Sequence, residues 1–147
     1  MQGPQEIKLS YKAMSLENLP KITSSLCCKE LLYQTWDQDT IGLHETFKVL
    51  FLNNSNKVLG IMNHSTGGIT GTVADIRIIM AAALKSLSVA FILAHNHPSG
   101  TLRPSQADIS LTKRIKQAAE YFDIKVLDHL IFSPNGSYYS FADEGCL

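Results

Sequence analysis

Residues 95 to 108 read His-Asn-His-Pro-Ser-Gly-Thr-Leu-Arg-Pro-Ser-Gln-Ala-Asp. Two imidazoles, His95 and His97, stand two positions apart. The carboxylate of Asp108 follows His97 by eleven residues, and Ser105 precedes Asp108 by three. Two neutral imidazoles and a carboxylate suit a divalent cation such as Zn2+. Three protein ligands leave a fourth position for water. A site of that form is suited to hydrolysis rather than to stapling a fold. His95, His97 and Asp108 are therefore the candidate ligands and Zn2+ the expected cofactor. Iron and manganese accept the same donors.

Each of these residues also has a plainer reading. An isolated His-x-His can be two polar residues at a strand end. Here Pro98-Ser99-Gly100 follows at once and marks a defined turn. Ser105-x-x-Asp108 is close to a capping box, with Ser105 capping a helix and Asp108 reaching back. A cap and a ligand are compatible, because the cap fixes the helix start that aims Asp108.

A metal-activated water needs a base, and Glu45 is the candidate, at the edge of an apolar run. Spacing alone reads Glu45 as a solvent-facing strand end. His44 and His64 read as surface residues. Asp128 and His129 lie inside the apolar stretch Val-Leu-Asp-His-Leu-Ile, where polar groups are costly unless paired. Either one supports a ligand from behind, or the pair makes a buried structural hydrogen bond.

The elements that must position these residues follow from periodicity. Residues 1–40 read as an arm with a short strand at Ile7–Tyr11 and a helix capped at Ser24-Ser25 and running to about Gln38. Residues 41–147 read as the main domain. Within it, Thr46–Leu52 and Lys57–Met62 flank the turn Asn53–Asn56 and predict a hairpin. Gly67, Gly68 and Gly71 break the pattern. Ile76, Ile79, Met80, Ala83, Leu84 and Leu87 recur at helical spacing, predicting a helix over Val73–Leu87. Val89–Ala94 is a continuous apolar strand ending at His95, and a loop carries His97 to Pro104. Ser105 then opens a helix with Ile109, Thr112, Ile115, Ala119 and Phe122 inward. Lys125–Phe132 reads as a strand, Pro134–Gly136 as a turn and Ser137–Phe141 as the last strand. The order predicts an α/β fold, a mixed β-sheet flanked by helices. Ligands in open α/β sheets sit beyond the carboxyl ends of strands, which is where His95 falls.

Composition narrows the function classes. The chain has 147 residues, 45% hydrophobic and 18% charged, the balance of one globular domain rather than of a disordered chain. Lys and Arg number 13 and Asp and Glu 13, so the formal net charge is zero. Neutrality argues against strong non-specific nucleic-acid binding. The trio Lys113, Arg114 and Lys116 reads as a solvated helix face. No apolar window reaches the length of a membrane span, and the start lacks the marks of a signal peptide. Three cysteines without C-x-x-C spacing are expected to be reduced thiols in a cytoplasmic protein.

His95-x-His97, Ser105 and Asp108 together resemble the JAMM motif of JAB/MPN metalloproteases. The surrounding AHNHPSG (residues 94–100), PSQADISLTKRIKQA (104–118), VLDHLIF (126–132) and YYSFADEG (138–145) resemble the bacterial RadC-like branch of that family. The resemblance runs from about Glu45 to Glu144. It implies a JAB/MPN fold related to cytidine deaminases, with zinc held by His95, His97 and Asp108. It also implies that Ser105 stabilises a tetrahedral intermediate. Glu45, two residues before Phe47, matches the family's water-activating glutamate. The implied activity is hydrolysis of a peptide or isopeptide bond by a zinc-dependent metalloprotease, with a peptide or protein as substrate. A nucleic-acid-associated role, suggested by the family's name in DNA repair, is the alternative. Residues 1–40 lack the helix-hairpin-helix often found ahead of this domain, and neutral charge gives that alternative no support. A third possibility, a scaffold that keeps the fold without chemistry, is disfavoured because every ligand position is filled.

Overall fold

A computed structural model describes residues 3–8, 10–12, 15–67 and 73–147. Among the described residues, a short 3-10 helix (Leu16–Asn18), three α-helices and five strands follow one another along the chain. The α-helices and strands are α1 (Ser25–Tyr33), β1 (Thr46–Leu52), β2 (Val58–Thr66), α2 (Ile76–Lys85), β3 (Ala90–Asn96), α3 (Gln106–Glu120), β4 (Lys125–Phe132) and β5 (Tyr138–Ser140). The strands form one mixed sheet in the order β2-β1-β3-β4-β5. β1 runs antiparallel to β2 and β3, β3 parallel to β4, and β4 antiparallel to β5. Only β3 and β4 need a crossover, and α3 supplies it.

Side chains alternate across the strands, so the sheet has two apolar faces. Phe47, Val49, Phe51, Phe91, Leu93 and Val126 meet Ile79, Ala83, Ile115 and Ala119 of α2 and α3. Leu50, Leu52, Ile92, Ala94, Leu130 and Phe132 meet Cys28, Leu32 and Trp36 on the other side. Helix α1 thus covers the second face. Leu32 is fully buried there, and its truncation to alanine would cost about 2–5 kcal/mol. Burial, with Asp128 and Cys27 nearby, pushes the Cys28 thiol up to about 12, and all three cysteines are free thiols.

β1 and β4 have the expected bounds, whereas other elements differ for local reasons. Ile7, Lys8, Ser10 and Tyr11 form no strand, Leu9 lying outside the described residues. Ile7 is 96% exposed, so the segment has no core to be buried against. α1 stops at Tyr33 rather than near Gln38. Thr35 and Trp36 donate to Leu32 and Tyr33 in tight i−3 turns. That turn swings Trp36 inward, 5.1 Å from the Phe132 ring. The Lys48 ammonium lies 4.4 Å from the indole and donates to the Thr35 carbonyl.

β2 continues to Thr66, because pairing with β1 outlasts the apolar run. α2 starts at Ile76, where the Asp75 side chain accepts the Arg77 N–H. It ends at Lys85, Leu87 lies beyond it at φ 54°, and both Leu84 and Leu87 are exposed. The glycine break is described only at Gly67, and Gly68 and Gly71 lie outside the described residues. β3 runs on through His95 to Asn96. In α3, Thr112, Ile115 and Ala119 are buried, but Ile109 and Phe122 are not. Phe122 falls in the turn after the helix, and Ile109 opens towards solvent beside the first turn. β5 is short, and the buried Phe141 belongs to the turn after it. Among the described residues no helix is long and apolar enough to cross a membrane.

Candidate metal centre

His95 lies inside the sheet, 2% exposed, with Phe47 of β1 on one side and Ile131 of β4 on the other. The Phe47 ring stacks on its imidazole at 6.0 Å. His97 follows just past the strand end, where its N–H donates to the Phe132 carbonyl. Strand alternation sends both imidazoles to the α3 side. The first turn of α3 brings the carboxylate. Ser105 Oγ accepts the Asp108 N–H at 3.0 Å, and Asp108 Oδ2 accepts the Ser105 N–H at 2.8 Å. This reciprocal cap holds Asp108 over the histidines.

Four side chains converge. His95 Nε2 and His97 Nε2 are 2.9 Å apart. Asp108 Oδ1 is 3.3 Å from His95 Nε2, and Asp108 Oδ2 is 3.3 Å from His97 Nε2. Glu45 Oε1 is 3.6 Å from His97 Nε2. Glu45, His95 and His97 each present a donor within 4.8 Å of the other two, so the group could hold a metal ion. Asp108 approaches both imidazoles, whereas the close contact of Glu45 is to one. Ligand atoms of tetrahedral zinc lie about 3.3 Å apart for arms of roughly 2.0–2.1 Å; Asp108 reaches each imidazole at that distance, through a different oxygen for each. His97 Nδ1 lies 2.6 Å from the Thr101 carbonyl, which can only accept. Nδ1 therefore carries a proton, which leaves Nε2 as the ring atom facing the centre.

Both members of the Asp128-His129 pair are bonded, with different consequences. Asp128 accepts from Ser140 Oγ at 2.6 Å and from the backbone of Ala142 and His129. It secures the C-terminal turn and contacts no ligand. His129, fully buried, places Nε2 2.7 Å from His95 Nδ1 and Nδ1 2.6 Å from Thr112 Oγ1. Burial pushes its imidazole well below the ordinary value, so it is neutral. His44 is only partly buried and lies outside the cluster. His64 is half-buried rather than a surface residue. Its Nε2 accepts the Asp75 N–H at 2.7 Å, which fixes the start of α2.

The residue between the two histidines does work that the motif does not announce. Asn96 is completely buried. Its Oδ1 accepts from Trp36 Nε1 at 3.1 Å and from the Thr46 N–H at 2.8 Å. Its Nδ2 donates to the carbonyls of Ile41 and His44 at 2.8 and 3.0 Å. The flanks of Glu45 are thus tied to Asn96 on both sides, and the Glu45 carbonyl accepts from Gly67. The only sequence signal for this role is a polar residue continuing an apolar strand.

A sequence family described as the RadC-like JAB domain matches residues 22–146. The chain belongs to that family. Its relatives include a UPF0758 protein of Porphyromonas gingivalis, 52% identical over 99% of this chain and 66% of the relative. One from Flavobacterium johnsoniae is 47% identical over 95% of this chain and 59% of its own length. One from Marinobacter nauticus is 43% identical over 71% and 46%. The chain spans about half to two thirds of the length of these relatives. The match includes α1, which packs into the same core as the sheet.

In this RadC-like JAB domain the carboxylates and imidazoles of the centre shift one another's titration. Burial alone would lower His97, but the Asp108 carboxylate, the Thr101 carbonyl and Glu45 outweigh it and hold the imidazole above its ordinary range. Burial alone would raise Asp108. Contact with His95 and His97 outweighs that and holds its carboxyl well below the usual range. Asp108 also sits in the first turn of α3, where the helix dipole favours negative charge.

Proposed function

We propose that this RadC-like JAB domain is a zinc-dependent hydrolase that cleaves a peptide or isopeptide bond. The observation carrying this reading is the convergence of the His95, His97 and Asp108 donor atoms within 2.9–3.3 Å, with Glu45 beside them. His95, His97 and Asp108 would hold the ion. Bound there, zinc would polarise the scissile carbonyl and lower the pKa of water. Glu45, within reach of the same centre, would take the proton of the attacking water and pass it to the departing amine. Ser105 accepts the cap bond through its oxygen and would donate its hydroxyl proton to the developing oxyanion.

The substrate is then a peptide or protein able to present an extended bond at the carboxyl end of β3. The experiment is metal analysis of the purified protein followed by a peptide-library cleavage screen, with and without chelator. Cleavage that a chelator abolishes and zinc restores is the expected result. Protein that takes up no divalent metal, or a screen in which chelator changes nothing, would overturn the proposal.

A further inference from the structure

The chain of contacts behind His95 has a direction that can be worked out from its far end. Thr112, on the buried face of α3, places Oγ1 2.7 Å from the Asp108 carbonyl and 2.6 Å from His129 Nδ1. A hydroxyl has one proton, and a carbonyl can only accept. The Thr112 proton must therefore go to the Asp108 carbonyl. Otherwise two oxygen lone pairs would face each other at 2.7 Å in a buried place, at the cost of an unmade bond. Thr112 Oγ1 then accepts, and His129 Nδ1 must donate. With its proton on Nδ1, His129 offers only a lone pair at Nε2. That lone pair faces His95 Nδ1 at 2.7 Å, so His95 Nδ1 must carry its proton. His95 Nε2 is left bare, pointing at the position shared with His97 Nε2 and Asp108 Oδ1.

The opposite direction would put a proton on His95 Nε2, where it would be donated to His97 Nε2 or Asp108 Oδ1 and would have to leave before that nitrogen could hold a metal. We infer that Thr112 and His129 are positioning residues: the Thr112 hydroxyl, anchored on the Asp108 carbonyl, selects the tautomer of His129 and through it that of His95. The inference builds on the proposed metal centre and adds a property of its own. The relay begins at the backbone of one ligand, Asp108, and ends on the ring of another, His95. Helix α3 and strand β3 are thereby coupled through Thr112 and His129, and the helix that delivers the carboxylate also sets the proton on the imidazole. A buried imidazole stands where a carboxylate or carbonyl more often backs a ligating histidine.

The test combines imidazole nitrogen NMR with zinc titration of the intact protein. In the wild-type protein before zinc is added, His95 and His129 should both show the Nδ1–H form. Either ring found with its proton on Nε2 would overturn the inference, whether or not the protein hydrolyses anything. Thr112→Val keeps the shape and removes the hydroxyl, and should weaken zinc binding by about 10- to 100-fold, with His129 no longer held in one form. Thr112→Ser restores a hydroxyl and should return affinity to within a few-fold of wild type. Wild-type zinc affinity in Thr112→Val, or equal loss in both variants with the fold intact, would also overturn it. Failure of wild-type protein to bind zinc would count against the proposed hydrolase alone, since the NMR measurement still decides the relay.

Discussion

Asn96 Oδ1 accepts the Thr46 N–H at 2.8 Å, so the residue between the two imidazoles fixes the backbone next to Glu45. Asn96→Ala would strand the Ile41 and His44 carbonyls, the Thr46 N–H and the Trp36 indole N–H in a buried place. A loss of at least about 4 kcal/mol in denaturant unfolding is expected, from four unsatisfied groups worth roughly 1–3 kcal/mol each. Zinc stoichiometry should survive in the folded fraction while turnover falls, because Glu45 is displaced and the ligands are not. Unchanged stability would show that water replaces the side chain freely.

Glu45 and Asp108 are both carboxylates at the centre, and substitution separates their roles. Asp108→Asn and His97→Ala should lose zinc by elemental analysis. Glu45→Gln should keep zinc and lose turnover by about 10²–10⁴-fold, the usual contribution of a positioned acid–base group. If Glu45→Gln lost its zinc as well, Glu45 would be a ligand, and the assignment of base would fall.

Ser105 carries a helix cap and a proposed oxyanion contact, and the two can be pulled apart. Ser105→Ala should cost about 1 kcal/mol of stability through the lost cap. Ser105→Asp still caps the helix but cannot donate when ionised. It should melt near wild type and turn over about 10²–10³-fold more slowly. Wild-type turnover in Ser105→Asp would remove the hydroxyl from the chemistry.

Protons and metal should act oppositely on stability. In chelator-stripped protein the folded His97 lies above its ordinary 6.5, so its contribution is present below that value and lost as pH rises through the raised one. Asp108, depressed from 3.8, contributes above that value and loses its contribution only under strong acid. Stripped protein should therefore be less stable at pH 8 than at pH 5.5. Zinc, which needs a neutral imidazole, should stabilise more at pH 8 than at pH 5.5. Melting curves of wild type and His97→Gln, with and without zinc, isolate the effect. Equal pH slopes in the two stripped proteins would show that His97 does not set it.

The mostly apolar runs at Thr46–Leu52 and Lys125–Phe132 define their strands fully, because interior strands are buried on both faces and only Lys48, Asp128 and His129 interrupt them between the first residues and the ends. The proposed ligands His95, His97 and Asp108 stand out in the sequence because they are confined to one strand end and the next helix start. Glu45 was not legible by spacing, since only the pairing of Phe47 with His95 brings it near. The role of Asn96 has no local signal, because its partners, Trp36, Ile41, His44 and Thr46, lie some 50–60 residues away in the chain. Helical spacing marks Thr112 as core, and core position says nothing about where a hydroxyl proton goes. The end of α1 at Tyr33 is not marked in the sequence, because it depends on Trp36 turning inward to reach that same asparagine.

The indole–Asn96 bond has a practical result. Trp36 is the only tryptophan in the chain, and its ring is packed on Phe132, under the Lys48 charge and hydrogen-bonded to the asparagine between His95 and His97. Its emission is therefore a built-in optical gauge of the strand end, sensitive to any shift there and free of background from a second fluorophore of its kind. Ion uptake, substrate docking and loosening of the Glu45 loop can each be followed in unlabelled protein by exciting a single ring.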